Sequence, residues 1–180
     1  MFRILRASKK MLQKKAGLKV SITVTISAIY TVLTLVLGEF SYSWIQVRIS
    51  EALTPLPWIL GFPAVIGLTL GCALTNCFSP VGLPDLIFGP ILTFFAAILS
   101  WKANFGKKSI ACFYPVLVNA FGVSAYVSSF YGVPYALTVV TIAAGEFIAA
   151  VLIGYPLLAA LEKKVIGLWV TSSDTENSVS

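Results

Sequence analysis

Long uncharged stretches dominate this chain, running from Val20 to Gly38, Ala52 to Pro84, Leu86 to Trp101, Ser109 to Gly145 and Phe147 to Leu161. No other feature restricts the fold as much. In hydrocarbon the backbone has no water to bond, so each segment must satisfy its own N–H and C=O groups. A helix of ~20 apolar residues does this and crosses a ~30 Å core. Composition agrees: 58% of residues are hydrophobic and 11% charged, against roughly a quarter charged in a soluble domain. A water-soluble fold of this make-up would leave too much apolar surface wet. The expected class is all-α, an integral membrane bundle.

The stretch from Ala52 to Pro84 is the ambiguous one. As one straight helix it would measure ~50 Å, and Pro55, Pro57, Gly61 and Pro63 crowd its first half, where proline removes donors and kinks helices. Charge decides its reading. Twelve of the thirteen basic residues fall in three clusters: Arg3 to Lys19, Lys102 to Lys108, and Lys163 with Lys164. Positive clusters favour the cytoplasmic side, and six spans with a cytoplasmic N-terminus place all three there. The predicted spans are Val20–Gly38, Glu51–Gly61, Phe62–Ser79, Pro84–Trp101, Lys108–Phe130 and Pro134–Leu161, with both termini cytoplasmic. The expected divisions are a basic segment over 1–19, a membrane domain over 20–164 and a polar, disordered tail over 165–180. Although basic residues precede it, the run from Val20 is too long for a signal-peptide core and lacks a clean cleavage site, so it reads as a retained span.

The net charge of +6 is therefore a topology signal and not a nucleic-acid footprint. With no His in the chain, a His-based metal site or acid–base catalyst is excluded. Cys72, Cys77 and Cys112 lie in apolar stretches and read as small hydrophobes. There is no phosphate loop and no nucleophile beside a base. No metal or cofactor is expected.

What remains is a handful of isolated polar groups. Arg48 stands apart from every basic cluster, on the predicted outer face, with Glu51 three residues on and Trp44 and Gln46 before it. Arg48 and Glu51 suit an i, i+3 pair, either as a structural tie for the first loop or as part of a ligand site. Glu146 lies twelve residues past Pro134, ~18 Å along the last helix and near mid-membrane. A carboxylate there is expensive and usually faces the bundle interior; the alternative is a protonated acid bonded to a neighbouring helix. Asn119 and Asn76 sit at similar depth, as ligand groups or as helix glue. Asp85 begins the fourth span, where the helix dipole alone explains an acid. A stripe of small residues, Thr23, Ser27, Thr31, Thr34 and Gly38, lets another helix approach closely, within this chain or from another protein.

The stretches "IQVRISEALTPLP", "GFPAVIGLTLGCALTN" and "GLPDLIFGPILT" resemble the queuosine precursor transporter (QueT) family, the substrate-binding S components of energy-coupling factor (ECF) transporters. The resemblance runs from about Tyr30 to Leu161. It implies six membrane helices, and capture of a deazaguanine-type base, the aminomethyl or cyano precursor, near the outer face. It also implies docking on a membrane coupling protein with two ATPase subunits, whose hydrolysis releases the substrate inward. On that reading the chain is not itself an enzyme and sits in the cell membrane. Glu146, with Asn119 beside it, would accept the guanine-like N–H edge, and Glu51 or Asp85 would pair with an aminomethyl cation. Tyr126, Tyr131 or Trp44 would cover the ring. Such S components often carry an alanine-x-x-x-alanine docking pair in the first helix. Here Ser27 and Thr31 hold that spacing, and Ala28 pairs with Val32.

Overall fold

The computed structural model describes residues 16–42 and 48–165. The segment 1–15, the tail 166–180 and residues 43–47, among them the candidates Trp44 and Gln46, lie outside the described residues. All regular structure described is helical. Helix α1 covers Ala16–Val36 and the one-turn α2 covers Gly38–Ser41. A 3-10 segment, Ile49–Leu53, leads to the one-turn α3, Pro57–Leu60. Then come α4 (Phe62–Asn76), α5 (Leu83–Lys102) and α6 (Lys108–Tyr131). The last helix, α7 (Tyr135–Val165), includes a π-helical stretch over Phe147–Ile153.

Helices α1, α5, α6 and α7 are each long and apolar enough to cross a bilayer. Their outer faces carry bare hydrophobics such as Val24, Phe95, Phe121 and Val140, an arrangement stable against lipid and untenable against water. Helix α4 is equally apolar but has only 15 residues, about 22 Å of rise.

The helix expected over Glu51–Gly61 is not continuous and is corrected here to a 3-10 segment followed by a single α-turn. Pro55 and Pro57 withhold two of the N–H donors that an α-helix would need. Gly61 then ends α3 at φ 72, a conformation open to glycine and costly for other residues. The broken segment is nevertheless buried almost throughout, from Ser50 to Ile59.

Helix α1 packs on α4, α4 on α5, α5 on α6 and α6 on α7, while the 3-10 segment lies between α1 and the π stretch of α7. The small-residue stripe of α1 meets α4 of the same chain. A Cβ on Gly67 would lie 2.7 Å from the Thr23 carbonyl, and one on Gly71 2.9 Å from Tyr30 Cβ. Ser27 and Thr34 are buried there, while Ala28, Val24 and Val32 face outward. The π stretch has an identifiable origin: Pro156 has no N–H for the Leu152 carbonyl, and a local π adjustment rehouses such groups. Just beyond it, Gly154 abuts Ala52, whose carbonyl would lie 2.9 Å from an added Cβ. Cys72 and Cys112 are buried thiols, and the described cysteines form no disulfide.

Candidate functional site: a buried acidic centre

Three acids, one arginine and their donors are drawn into the bundle interior from different elements. Arg48 precedes the 3-10 segment in extended conformation. Its Nη2 donates to Asp85 Oδ2 at 3.0 Å and its Nε to the Ser41 carbonyl at 3.2 Å, with the guanidinium carbon 5.3 Å from the centroid of the Tyr42 ring. Asp85 is fully buried in the first turn of α5. It also accepts from Tyr126 Oη at 2.7 Å, and its backbone carbonyl accepts from Asn76 Nδ2 at 2.7 Å. Gly89, one turn along α5, leaves the room that the Asn76 amide occupies, since an added Cβ there would collide with it.

The pairing expected between Arg48 and Glu51 is therefore wrong: the arginine's acid is Asp85. The reason is local. An i, i+3 pair presumes a helix through both residues, but Arg48 lies outside the 3-10 segment. Glu51 is satisfied instead by hydroxyls. Tyr30 Oη donates to Oε1 at 2.5 Å and Thr54 Oγ1 to Oε2 at 2.5 Å. One turn along α1, Thr34 donates to Ser50 Oγ at 2.7 Å. Asp85 thus does more than complement a helix dipole: it joins residues of the first loop to α5 and α6.

Glu146 faces the interior, 4% exposed. Asn119 Nδ2 donates to its Oε1 at 2.8 Å, the amide partnership expected of that pair. Its Oε2 is buried with no hydrogen-bond partner, as are Asn76 Oδ1 and Ser124 Oγ. Glu51 and Arg48 lie close enough to Glu146 to interact with it electrostatically. Buried acceptors without donors are costly, and N–H groups of a bound molecule would satisfy them. Tyr131 is placed differently from the other candidates. Its hydroxyl donates to the Tyr42 carbonyl at 2.7 Å, which secures the residue where the described part of the first loop ends.

Sequence reasoning missed Tyr30, Tyr42, Ser50 and Thr54 as donors or acceptors here, and read Thr34 only as a small packing residue. The available signal was that each buried acid requires donors, and that Tyr30 and Thr34 share a helix face at i, i+4. Among the described residues, no group of three or more His, Cys, Asp or Glu side chains is placed to hold a metal ion. Two surface grooves are apolar: one of about 230 Å³ between α1 and α4, and one of about 320 Å³ between α5 and α6. Neither is lined by Glu51 or Glu146, and only the second touches the polar centre, through Tyr126.

Bare apolar flanks around an enclosed set of acids, amides and hydroxyls define a multi-pass helical membrane protein with a polar centre. No curated protein and no solved structure matches the chain. A family model does, the QueT transporter, over residues 20–163. The chain belongs to the QueT transporter family, which makes it a membrane transport protein with a small-molecule substrate.

Proposed function

We propose that this chain is the substrate-capture subunit of an ATP-driven importer of the energy-coupling factor type, and that its ligand is a deazaguanine-type precursor of queuosine. The observation carrying this reading is Glu146. It is buried in the bundle, held on one oxygen by Asn119, and left with a free acceptor on the other. That half-used carboxylate suits the adjacent ring N–H and exocyclic amine of a guanine-like edge, with the spare acceptor of Asn76 for a further donor. Because Glu51 and Asp85 are already hydrogen-bonded within the protein, they serve this reading chiefly as the negative environment that an aminomethyl ligand would meet.

The chain itself hydrolyses nothing on this view. A membrane coupling protein and two ATPase subunits provide the energy, with the outward face of α1 around Ala28 as the docking candidate. The orientation is six crossings of the cell membrane with both termini cytoplasmic. Contacts along α1 support the count: Ser50 meets Thr34, whereas Pro63 meets Thr23 and Phe62 meets Trp101. Thr34 and Thr23 are ~16 Å apart along α1, so the broken segment and α3 travel about half the length of α1 before α4 returns.

The test is equilibrium binding of the purified chain to a panel of purines, deazapurines and vitamins. Saturable binding confined to deazaguanines is expected. Glu146→Gln should weaken it about 10- to 100-fold, the equivalent of ~1.5–3 kcal/mol for hydrogen bonds to a charged group. No saturable ligand would leave a membrane protein whose polar interior only locks helices, and equal affinity in Glu146→Gln would remove the acid from the site.

A further inference from the structure

The turn between α5 and α6 spans residues 103–107 and has a feature that neither transport nor helix packing accounts for. Phe105 is 83% exposed and has φ 48; among the described residues no other non-glycine has a positive φ. A bulky L-residue is disfavoured there, so the surroundings must impose it. They do so through a dense local network. Asn104, itself buried, donates from Nδ2 to the carbonyls of Ser100 at 2.9 Å and Trp101 at 2.7 Å. Its Oδ1 accepts from the Gly106 N–H at 3.1 Å. Tyr114 Oη donates to the Ala103 carbonyl at 2.7 Å. The result is a stiff turn that displays one aromatic ring.

Cations stand on both sides of Phe105 in the chain. Lys102 and Lys107 flank it and are exposed, with Lys102 Nζ 4.8 Å from the centroid of the Trp101 ring. Lys108 is engaged with Glu162 at 2.6 Å, which brings Lys163 and Lys164 to the same end. Glu162 is thus committed within the chain and does not neutralise the other lysines. A partner for this end needs an apolar layer for the ring and negative charge for the lysines.

Geometry selects among such partners. Helix α5 has 20 residues, about 30 Å, which matches one hydrocarbon core. Its last residue, Lys102, therefore lies at the core boundary. Phe105 is three residues further, so it rises no more than about 10 Å beyond that boundary, and the headgroup layer is itself about 5–7 Å thick. At its furthest the Phe105 backbone stands only a few ångströms past the headgroup layer, a gap that its exposed ring can span back to lipid.

We propose that the α5–α6 turn is an interfacial anchor for anionic lipid: Phe105 enters the acyl boundary while Lys102 and Lys107 pair with headgroup phosphates. The inference is independent of the ligand at Glu146. The experiment titrates the purified full chain, in neutral detergent, with short-chain phosphatidylglycerol, short-chain phosphatidylcholine and glycerol phosphate, reading the thermal unfolding midpoint. Phosphatidylglycerol alone should raise it. Lys102→Gln with Lys107→Gln should raise the half-saturating concentration about 25-fold, on about fivefold per lysine. Phe105→Asn keeps a residue tolerant of positive φ and should weaken the response at least fivefold, whereas Phe105→Trp should retain it. An unchanged response in Phe105→Asn overturns the proposal. So does an equal shift from glycerol phosphate, which would mark a free-phosphate site. Unaltered lipid titration with lost co-purification of a protein partner would assign the turn to protein docking and overturn it too.

Discussion

The Arg48–Asp85 pair can be tested against the pairing that sequence spacing favours. Both side chains are buried, at 6% and 0% exposure, and Nη2 lies 3.0 Å from Oδ2. At that separation the attraction is about 5.5 kcal/mol with an effective dielectric constant of ~20. Desolvation of the two ions offsets much of this, so the pair's net worth is small. Removing one partner is different, because it strands a buried charge and costs ~3–5 kcal/mol. Arg48→Gln and Asp85→Asn should therefore each destabilise the chain by about 3 kcal/mol, and the double variant by little more than either one. The coupling energy should be about 2–3 kcal/mol. Reversible unfolding by dodecyl sulfate in mixed micelles, followed by circular dichroism, reads all four corners of the cycle. The companion cycle of Arg48→Gln with Glu51→Gln should show less than half that coupling. Additive effects for Arg48 and Asp85, within ~0.5 kcal/mol, would refute the reasoning, as would stronger coupling between Arg48 and Glu51.

Other consequences are simpler to read. Tyr30→Phe removes a 2.5 Å hydrogen bond to Glu51 and should cost about 1.5–3 kcal/mol in the same unfolding assay, more than Thr34→Val. Gly71→Val sets side-chain atoms against Tyr30 Cβ and should destabilise by ~1–3 kcal/mol through overpacking between α1 and α4; a neutral result would mean that these helices are not in contact. Gly89→Ala should displace the Asn76 amide from the Asp85 carbonyl, detectable as a loss of stability that Asn76→Ala does not deepen. Lys108→Ala removes the 28% exposed partner of a 6% exposed acid and should cost more than the ~1 kcal/mol of a fully exposed pair, because Glu162 is left buried without its cation.

The membrane class and four long helices were legible because they rest on uninterrupted apolar length, which a single sequence displays directly. The ends of α5 and α6 follow from Gly, Pro and Lys flanks. The break at Gly61 was also legible, but the form of the segment before it was not: alternating proline and apolar residues do not distinguish one short helix from a 3-10 segment and a single α-turn. Arg48 shows where local reasoning stops. Its acid lies 37 positions away, and no periodicity links the two. Glu146 and Asn119, 27 positions apart, were matched only because both are polar at similar depth in adjoining spans. The hydroxyl shell of Glu51 escaped notice since Tyr and Thr are unremarkable in apolar helices, and because the fold, not the spacing, brings α1 alongside residue 51. Nothing in "EFIAAVLIGYP" beyond Gly154 and Pro156 announces a π stretch.

Asp85 receives its bonds from residues that the chain places before α3, at the end of α4 and on α6. Its role therefore extends beyond any ligand. No single helix of this group can peel away into lipid without stranding an ion or an amide in hydrocarbon. Dismantling should accordingly be concerted, one sharp transition in which the early loop, α4, α5 and α6 let go together.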